Sequence, residues 1–236
     1  MCASSQIVIL DEWSDSEKVL VQFRLLYSGN LLGASRNDTR ASLKHQIRQE
    51  LSPQLKRLWE TNLHLQRFSR AHARFWHENH PEDKEQLPTQ DGPEIQSMLR
   101  IHGLNHIAHN FERAGQQFIP LVTEEMGLRC KLEILFLRPE ESGNLYVSGD
   151  LDNRIKTLFD ALRIAKDANE MGGSPISKEP LYCLLEDDRV ISEIRVNTDQ
   201  LLLLPKEQSI HPNDVFLVIE ISLQAPPGST LAFTFG

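Results

Sequence analysis

The chain has 236 residues, enough to bury a substantial core, and its 40% hydrophobic and 25% charged residues are typical of a globular protein. A chain of this length is expected to form a single domain over residues 1–236. No apolar run is long enough to cross a bilayer, and no basic segment of the signal-peptide kind precedes residues 7–10, so we expect the protein in the cytoplasm. Cys2, Cys130 and Cys183 are too widely spaced for a disulfide framework, and the last two lie in apolar segments that predict burial.

The charge is unevenly distributed. The formal net charge of −8 argues against a polyanionic partner for the chain as a whole. Residues 24–74, however, contain ten Lys and Arg against three Asp and Glu, an excess of +7, so the other residues carry −15. An acidic body with one basic region is compatible with nucleic-acid binding and equally typical of solvated helices.

Alternating apolar residues over 18–27 predict the first strand, ending in a turn at Ser28-Gly29-Asn30. Leu20 and Leu26 lie on its second face, which predicts that both faces are covered.

Residues 38–113 predict a helical, basic insertion. Its first helix begins at Asp38 or Thr39 and stops at Ser52-Pro53, where another helical turn begins. Residues 63–79 predict a helix, 80–93 a loop, and 94–113 a further helix. The core-facing stripe of that last helix is Met98, Ile101, Leu104, Ala108 and Phe111.

Residues 117–224 predict a compact mixed sheet with packed helices, that is, an α/β or α+β fold. The predicted elements are strands over 118–122, 129–137, 189–196 and 215–223, and a helix carrying Ile155, Leu158, Phe159 and Leu162. Residues 166–180 predict a mobile surface loop, and 225–236 a loose tail.

Carboxylates gather at the start of this helix. Asp150 and Asp152 are separated by one residue and point the same way in extended chain, so the pair can hold a hard cation. Lys156 follows Asp152 by one helical turn, which suits contact with a metal-bound phosphate. The acidic run Glu186-Asp187-Asp188 directly precedes a predicted strand. Considered alone, this run is explained about equally well by an ordinary acidic surface turn and by a metal site.

The two segments G-D-L-D-N-x-x-K-x-x-x-D-A-L and D-D before a strand resemble the signature of RusA-like Holliday-junction resolvases, over about residues 130–196. The resemblance implies a homodimeric, Mg²⁺-dependent (Mn²⁺ as an alternative) endonuclease that resolves Holliday junctions or related branched DNA in recombination and repair. It implies that Asp150, Asp152 and Asp188 bind the metal, that Asp187 is a neighbouring or alternative ligand, and that Lys156 is the phosphate-facing base or electrostatic catalyst.

The basic region supplies the expected contact with branched or duplex DNA. Arg67, Arg70 and Arg74 fall three and four residues apart on one helical face, which predicts phosphate contacts beside the cleft. The alternative function is a catalytically inactive RusA-like module that binds nucleic acid or another partner.

One further metal pattern is present. His102, His106 and His109 share a predicted helical face with a spacing that can hold zinc, although an exposed histidine-bearing face is the better account because no H-E-x-x-H is present. A D-x-D motif also occurs in nucleotide-sugar transferases, a distant alternative without a recognisable nucleotide-binding half.

Overall fold

The computed structural model describes residues 18–33, 39–79, 92–124, 126–139, 151–202 and 213–225. Several predicted features lie outside these ranges: Cys2, Asp150, most of the predicted loop at 80–93, and all but the first residue of the predicted tail. The helices within them are α1 (Thr39–Thr61), α2 (Leu63–Asn79), α3 (Pro93–Asn110) and α4 (Leu151–Leu162). The strands are β1 (Lys18–Asn30), β2 (Glu112–Arg113), β3 (Gln116–Val122), β4 (Arg129–Arg138), β5 (Leu181–Leu185), β6 (Ile191–Gln200) and β7 (Asp214–Ala225).

The described strands form two sheets, and the predicted α+β class is confirmed. The larger sheet has the order β1-β7-β4-β6, in which β7 is antiparallel to β1 and β4, while β4 and β6 are parallel. The smaller sheet has the order β2-β3-β5, with β3 and β5 parallel. None of the described helices combines the length and apolar character that a membrane span requires.

The larger sheet buries one face. Alternation along β4 places Cys130, Leu132, Ile134 and Phe136 in the core. Burial of each of the three large side chains, Leu132, Ile134 and Phe136, contributes roughly 1.5–3 kcal/mol. On the opposite face, ion pairs join Arg24 to Glu220 and Lys131 to Glu193 across neighbouring strands. Leu26 lies on this second face and is 49% exposed, so the prediction that both faces of β1 are covered is wrong.

Helix α1 runs unbroken through Pro53, and the predicted stop at Ser52-Pro53 is therefore wrong. Pro53 cannot donate to the carbonyl four residues earlier, but it faces solvent, so its ring does not disturb the core. Leu55 and Trp59 continue the buried stripe beyond it. Ser52 Oγ also accepts a hydrogen bond of 2.9 Å from the backbone nitrogen of Tyr182 in β5, so packing holds both halves of the helix.

Helix α2 has the predicted bounds, whereas α3 ends three residues before the predicted Arg113. The cause is a two-residue hairpin in which Ala114 and Gly115 have φ of 50° and 82° and join β2 to β3. The predicted core stripe of α3 is correct at Leu104 and Ala108 but wrong at Ile101, which is 49% exposed.

The segment predicted as a mobile surface loop contains a short 3-10 helix, Asn169–Met171, before β5. Met171 is buried, and a Cβ atom at Gly172 would lie 2.3 Å from the backbone nitrogen of Ser42 in α1. Gly172 also has φ of 61°, a conformation that favours glycine. This segment is therefore packed against α1. Strand β5 was not predicted because its short apolar run has no diagnostic period.

Candidate functional site

Helix α4 presents two of the predicted site residues to solvent. Its apolar face, with Ile155, Leu158 and Leu162, is buried in the core. Asp152 in the first turn and Lys156 one turn later are both exposed. The amphipathic pattern therefore places a carboxylate and an ammonium group together on an accessible edge, beside the positive end of the helix dipole, which favours an anionic ligand there.

Other polar residues of the same motif fix the position of α4. Arg154 is buried and its Nη2 donates a 3.0 Å hydrogen bond to Asn213 Oδ1, next to β7. At the other end of the helix, the Asp160 carboxylate accepts hydrogen bonds from Lys44 Nζ and Arg163 Nη2. These groups join the helix to β7 and α1, so their role in the structure is to orient it.

The three consecutive acids have three different environments. Glu186 Oε2 accepts a 2.9 Å hydrogen bond from the backbone nitrogen of Glu124, which anchors the segment to the turn after β3. Asp187 caps the 3-10 helix Asp188–Val190, and its Oδ1 accepts from the backbone nitrogen and Nε of Arg189 at 3.2 and 2.9 Å. Asp188 is exposed.

The Asp187 carboxylate is strongly held in its charged form. Partial burial acts to raise its pKa, but hydrogen bonds from the side chain and backbone of Arg189 and from Asp188 outweigh burial and lower the pKa to about 2. Lys166 Nζ lies 3.7 Å from its other oxygen. Cations of the protein thus satisfy Asp187, which leaves Asp188 as the more accessible carboxylate.

That Asp150, Asp152 and Asp188 surround one metal ion stays a prediction, because Asp150 lies outside the described residues. Within the described ranges, Asp152, Asp187 and Asp188 do not form a group of three whose ligand atoms all lie within 4.8 Å of one another. Any shared cation site therefore requires Asp150, or a movement of the side chains toward a bound ion.

Arg67, Arg70 and Arg74 do share one face of α2, and that face lines a groove of about 490 Å³ with Phe75 and Gln96. Phe75 is 60% exposed. Within the described part of the chain, no carboxylate forms an ion pair with Arg67 or Arg70. The groove therefore combines guanidinium groups, the carboxylate of Glu78 and an exposed aromatic ring from α2, opposite a polar side chain of α3.

The other aromatic residues of α2 have different surroundings. Phe68 packs against the main core, with its ring centroid 6.3 Å from that of Trp59 in α1. Trp76 stacks on His106 of α3, with 4.7 Å between the ring centroids. Only Phe75 of these three is accessible enough to meet a ligand in the groove.

The histidine pattern is partly different from the one that the sequence suggests. His102 and His106 of α3 lie close together, but their third neighbour is His77 of α2, and His109 is exposed. His77 could not be assigned to this group from the sequence, because 24 residues of chain lie between it and His102. No periodicity in the sequence links His77 of α2 to the histidines of α3.

No protein-family model, curated protein or solved structure matches this chain. The resemblance to RusA-like enzymes therefore rests on the two sequence segments that carry it.

Proposed function

We propose that this protein is a Mg²⁺-dependent endonuclease of the RusA type that acts on branched DNA in the cytoplasm. The observation that carries the proposal is the accessible edge of α4, where Asp152 and Lys156 stand in the spacing of the motif. The buried side chains of the same helix explain its fold, but they do not explain why these two polar residues lie one turn apart near its start.

The proposed donor set fits magnesium chemistry. It consists of Asp150, Asp152 and Asp188, and carboxylate oxygens are the ligands that a hard divalent cation prefers. Asp187 is a weaker candidate than Asp188, since Arg189 and Lys166 already neutralise it. A bound Mg²⁺ supplies activation of water and stabilisation of charge on the phosphate oxygens.

The protein side chains have separate tasks in this proposal. Lys156 places its ammonium group beside a phosphate and stabilises the negative charge that develops during in-line attack. The groove arginines Arg67, Arg70 and Arg74 hold the polyanion against an otherwise acidic molecule. Phe75 offers a stacking surface to an unpaired base, a feature that branched substrates present more often than intact duplex.

The deciding experiment is cleavage of labelled four-way junction, flap and duplex DNA with Mg²⁺, Mn²⁺ or EDTA. We expect Asp152→Asn to abolish metal-dependent cleavage, because the amide loses the negative charge that a cation requires, and to leave DNA affinity largely intact. Asp167→Asn is the matched control, since Asp167 is an exposed aspartate outside the motif. Undiminished cleavage by Asp152→Asn would remove the assignment.

The proposal includes a symmetric homodimer, since two equivalent sites are the simplest means of cutting paired strands of a junction. Light scattering on the active protein should give twice the monomer mass of 27.0 kDa. A monomer mass with full activity would contradict this part alone.

A catalytically inactive module that binds nucleic acid is the second candidate. The observation that favours it is the groove of α2, which offers Arg67, Arg70 and Phe75 to a ligand without any need for the carboxylates. Metal-independent DNA binding, without cleavage of any of the three substrates by the wild type, would support this candidate against the enzyme.

A further inference from the structure

Three histidines from two helices meet between α2 and α3. His77 of α2 and His102 and His106 of α3 each offer a ring nitrogen, and these atoms all lie within 4.8 Å of one another. The three side chains are half-buried. Within the described ranges they form the only group of three His, Cys, Asp or Glu residues that meets this distance.

The arrangement leaves a buried polar atom that needs a partner. His77 Nε2 is buried and has no hydrogen-bond partner among the described residues. Such an atom is costly, because burial removes its hydrogen bond to water without replacing it. A metal bound by this group of side chains would satisfy the imidazole and remove that cost.

The orientation of the rings suits a shared ligand. The His77 ring is steeply inclined to both others, at 64° to His102 and 84° to His106, with centroids 6.4 and 5.9 Å away. The ring edges, which carry the nitrogens, can therefore turn toward one point. Trp76 stacks on the face of His106 and restricts the rotation of that ring.

The backbones of the two helices also come close together next to one of the histidines, His102. A Cβ atom at Gly103 would lie 1.9 Å from the carbonyl oxygen of Ser69, so α2 and α3 touch through their main chains next to His102. The ligands thus come from two elements that are already in contact, which lowers the cost of arranging them.

We propose that His77, His102 and His106 form a zinc site that links α2 to α3. Three imidazoles are the donor set of a tetrahedral Zn²⁺ with one open position, and bonds of about 2.0–2.1 Å place the nitrogens roughly 3.3 Å apart. Small side-chain rotations close the present separation to that value. The fourth position is left for water or an anion. This site is separate from the carboxylates and does not depend on the proposed nuclease activity.

The test uses the chain of 236 residues without a polyhistidine tag, stripped of metal and titrated with Zn²⁺ in competition with a chromophoric chelator. We expect the wild type to bind a single zinc at this site. His77→Ala and His106→Ala should weaken binding by about tenfold or more, because each removes one of three ligands. His109→Ala is the matched control, since His109 lies on α3 outside the group, and it should bind as the wild type does.

Co²⁺ substitution supplies an independent readout. Four-coordinate Co²⁺ should give intense visible absorption bands in the wild type and His109→Ala, and these bands should be lost in His77→Ala. Circular dichroism checks that each variant folds, and His77→Gln replaces His77→Ala if the alanine variant does not. Zinc should also raise the melting temperature of the wild type and of Asp152→Asn but not of the folded His77 variant. An absence of zinc binding by the wild type, or equal affinity in the His77 variant, overturns the proposal.

Discussion

The adjacent residues Asp187 and Asp188 illustrate how two identical side chains take different roles. Asp187 accepts hydrogen bonds from the backbone and side chain of Arg189, which lower its pKa and use its lone pairs. Asp188 is the first residue of the short helix and points its exposed side chain away from the core. Asp187 therefore stabilises the turn, whereas Asp188, which also hydrogen-bonds to Asp187, is the more exposed of the two carboxylates.

This difference predicts that alanine at Asp187 mainly lowers stability, whereas alanine at Asp188 mainly lowers cleavage. Asp187→Ala should lower the free energy of unfolding at neutral pH by about 1 kcal/mol, because it removes a helix cap. Asp188→Ala should change stability by less than about 0.5 kcal/mol, as expected for an exposed residue, yet abolish cleavage if it binds the metal. Urea unfolding and the junction assay measure the two effects. Equal stability losses in both variants would contradict the distinction.

The buried charge of Arg48 in α1 makes the neighbouring His45 sensitive to pH. His45 is almost completely buried, and its Nδ1 accepts a 3.2 Å hydrogen bond from Arg48 Nη1. Arg48 also donates to the backbone carbonyls of Asp160 and Arg163. Burial and then the charge of Arg48 lower the pKa of His45 from 6.5 to about 4. The folded protein thus holds this histidine neutral.

The shift predicts a loss of stability in mild acid. Between about pH 6.5 and about pH 4 the unfolded chain binds a proton at His45 that the folded chain does not, so stability falls as the pH falls through this window. The contribution is about 3 kcal/mol across the window. His45→Gln should lose this part of the pH dependence, whereas the exposed His109→Gln should retain it. Unfolding curves at several pH values give the comparison, and identical slopes in both variants would be the contrary result.

At the scale of the elements, Gly103 sets how closely α2 and α3 approach. The nearest atom to an added Cβ would be the Ser69 carbonyl oxygen at 1.9 Å, a backbone atom that cannot rotate away. Alanine favours a helix over glycine by up to about 1 kcal/mol, but overpacking of this kind costs about 1–3 kcal/mol. The clash should therefore prevail.

We expect Gly103→Ala to destabilise the protein by roughly 1–2 kcal/mol and to weaken zinc binding, because the helices must separate. Asn105→Ala is the control, since Asn105 is exposed on the same helix. Thermal unfolding with and without Zn²⁺ measures both quantities. Unchanged stability of Gly103→Ala would show that the two backbones do not meet so closely in solution.

The same elements show how far the sequence could predict the structure. The bounds of α2 follow from its periodicity, and the buried face of α4 follows from the spacing of its apolar residues. The course of α1 through Pro53 depends on packing against β5, which is distant in sequence. The sequence also could not show which acid of Glu186-Asp187-Asp188 faces solvent. Glu186 is held by a hydrogen bond from the backbone nitrogen of Glu124, which lies 62 residues away in the chain.

At the scale of the whole molecule, charge is separated between the helical region and the rest of the chain. The excess of +7 within residues 24–74 contrasts with a net charge of −8 for the protein. Arg48 belongs to that excess but is buried, and Arg24 is paired with Glu220, so only part of it can reach a ligand. The arginines of the α2 groove form an accessible part of this charge.

This distribution predicts that Arg67, Arg70 and Arg74 control DNA affinity. Replacing all three by alanine should weaken binding to every DNA sequence alike, because phosphate contacts carry no sequence information. The slope of the logarithm of affinity against the logarithm of salt concentration should fall by about 0.9 for each phosphate contact that is lost. Binding isotherms at several salt concentrations measure this slope.

The control must remove the same charge elsewhere. A variant with alanine at Arg24, Arg129 and Arg195, which lie on the larger sheet, has the same net charge as the groove variant. Long-range attraction would be reduced equally in both, but only the groove variant loses direct contacts. We therefore expect the sheet variant to keep the salt slope of the wild type, while Zn²⁺ binding is retained in both. Equal slopes in all three proteins would leave the groove arginines as ordinary surface charge.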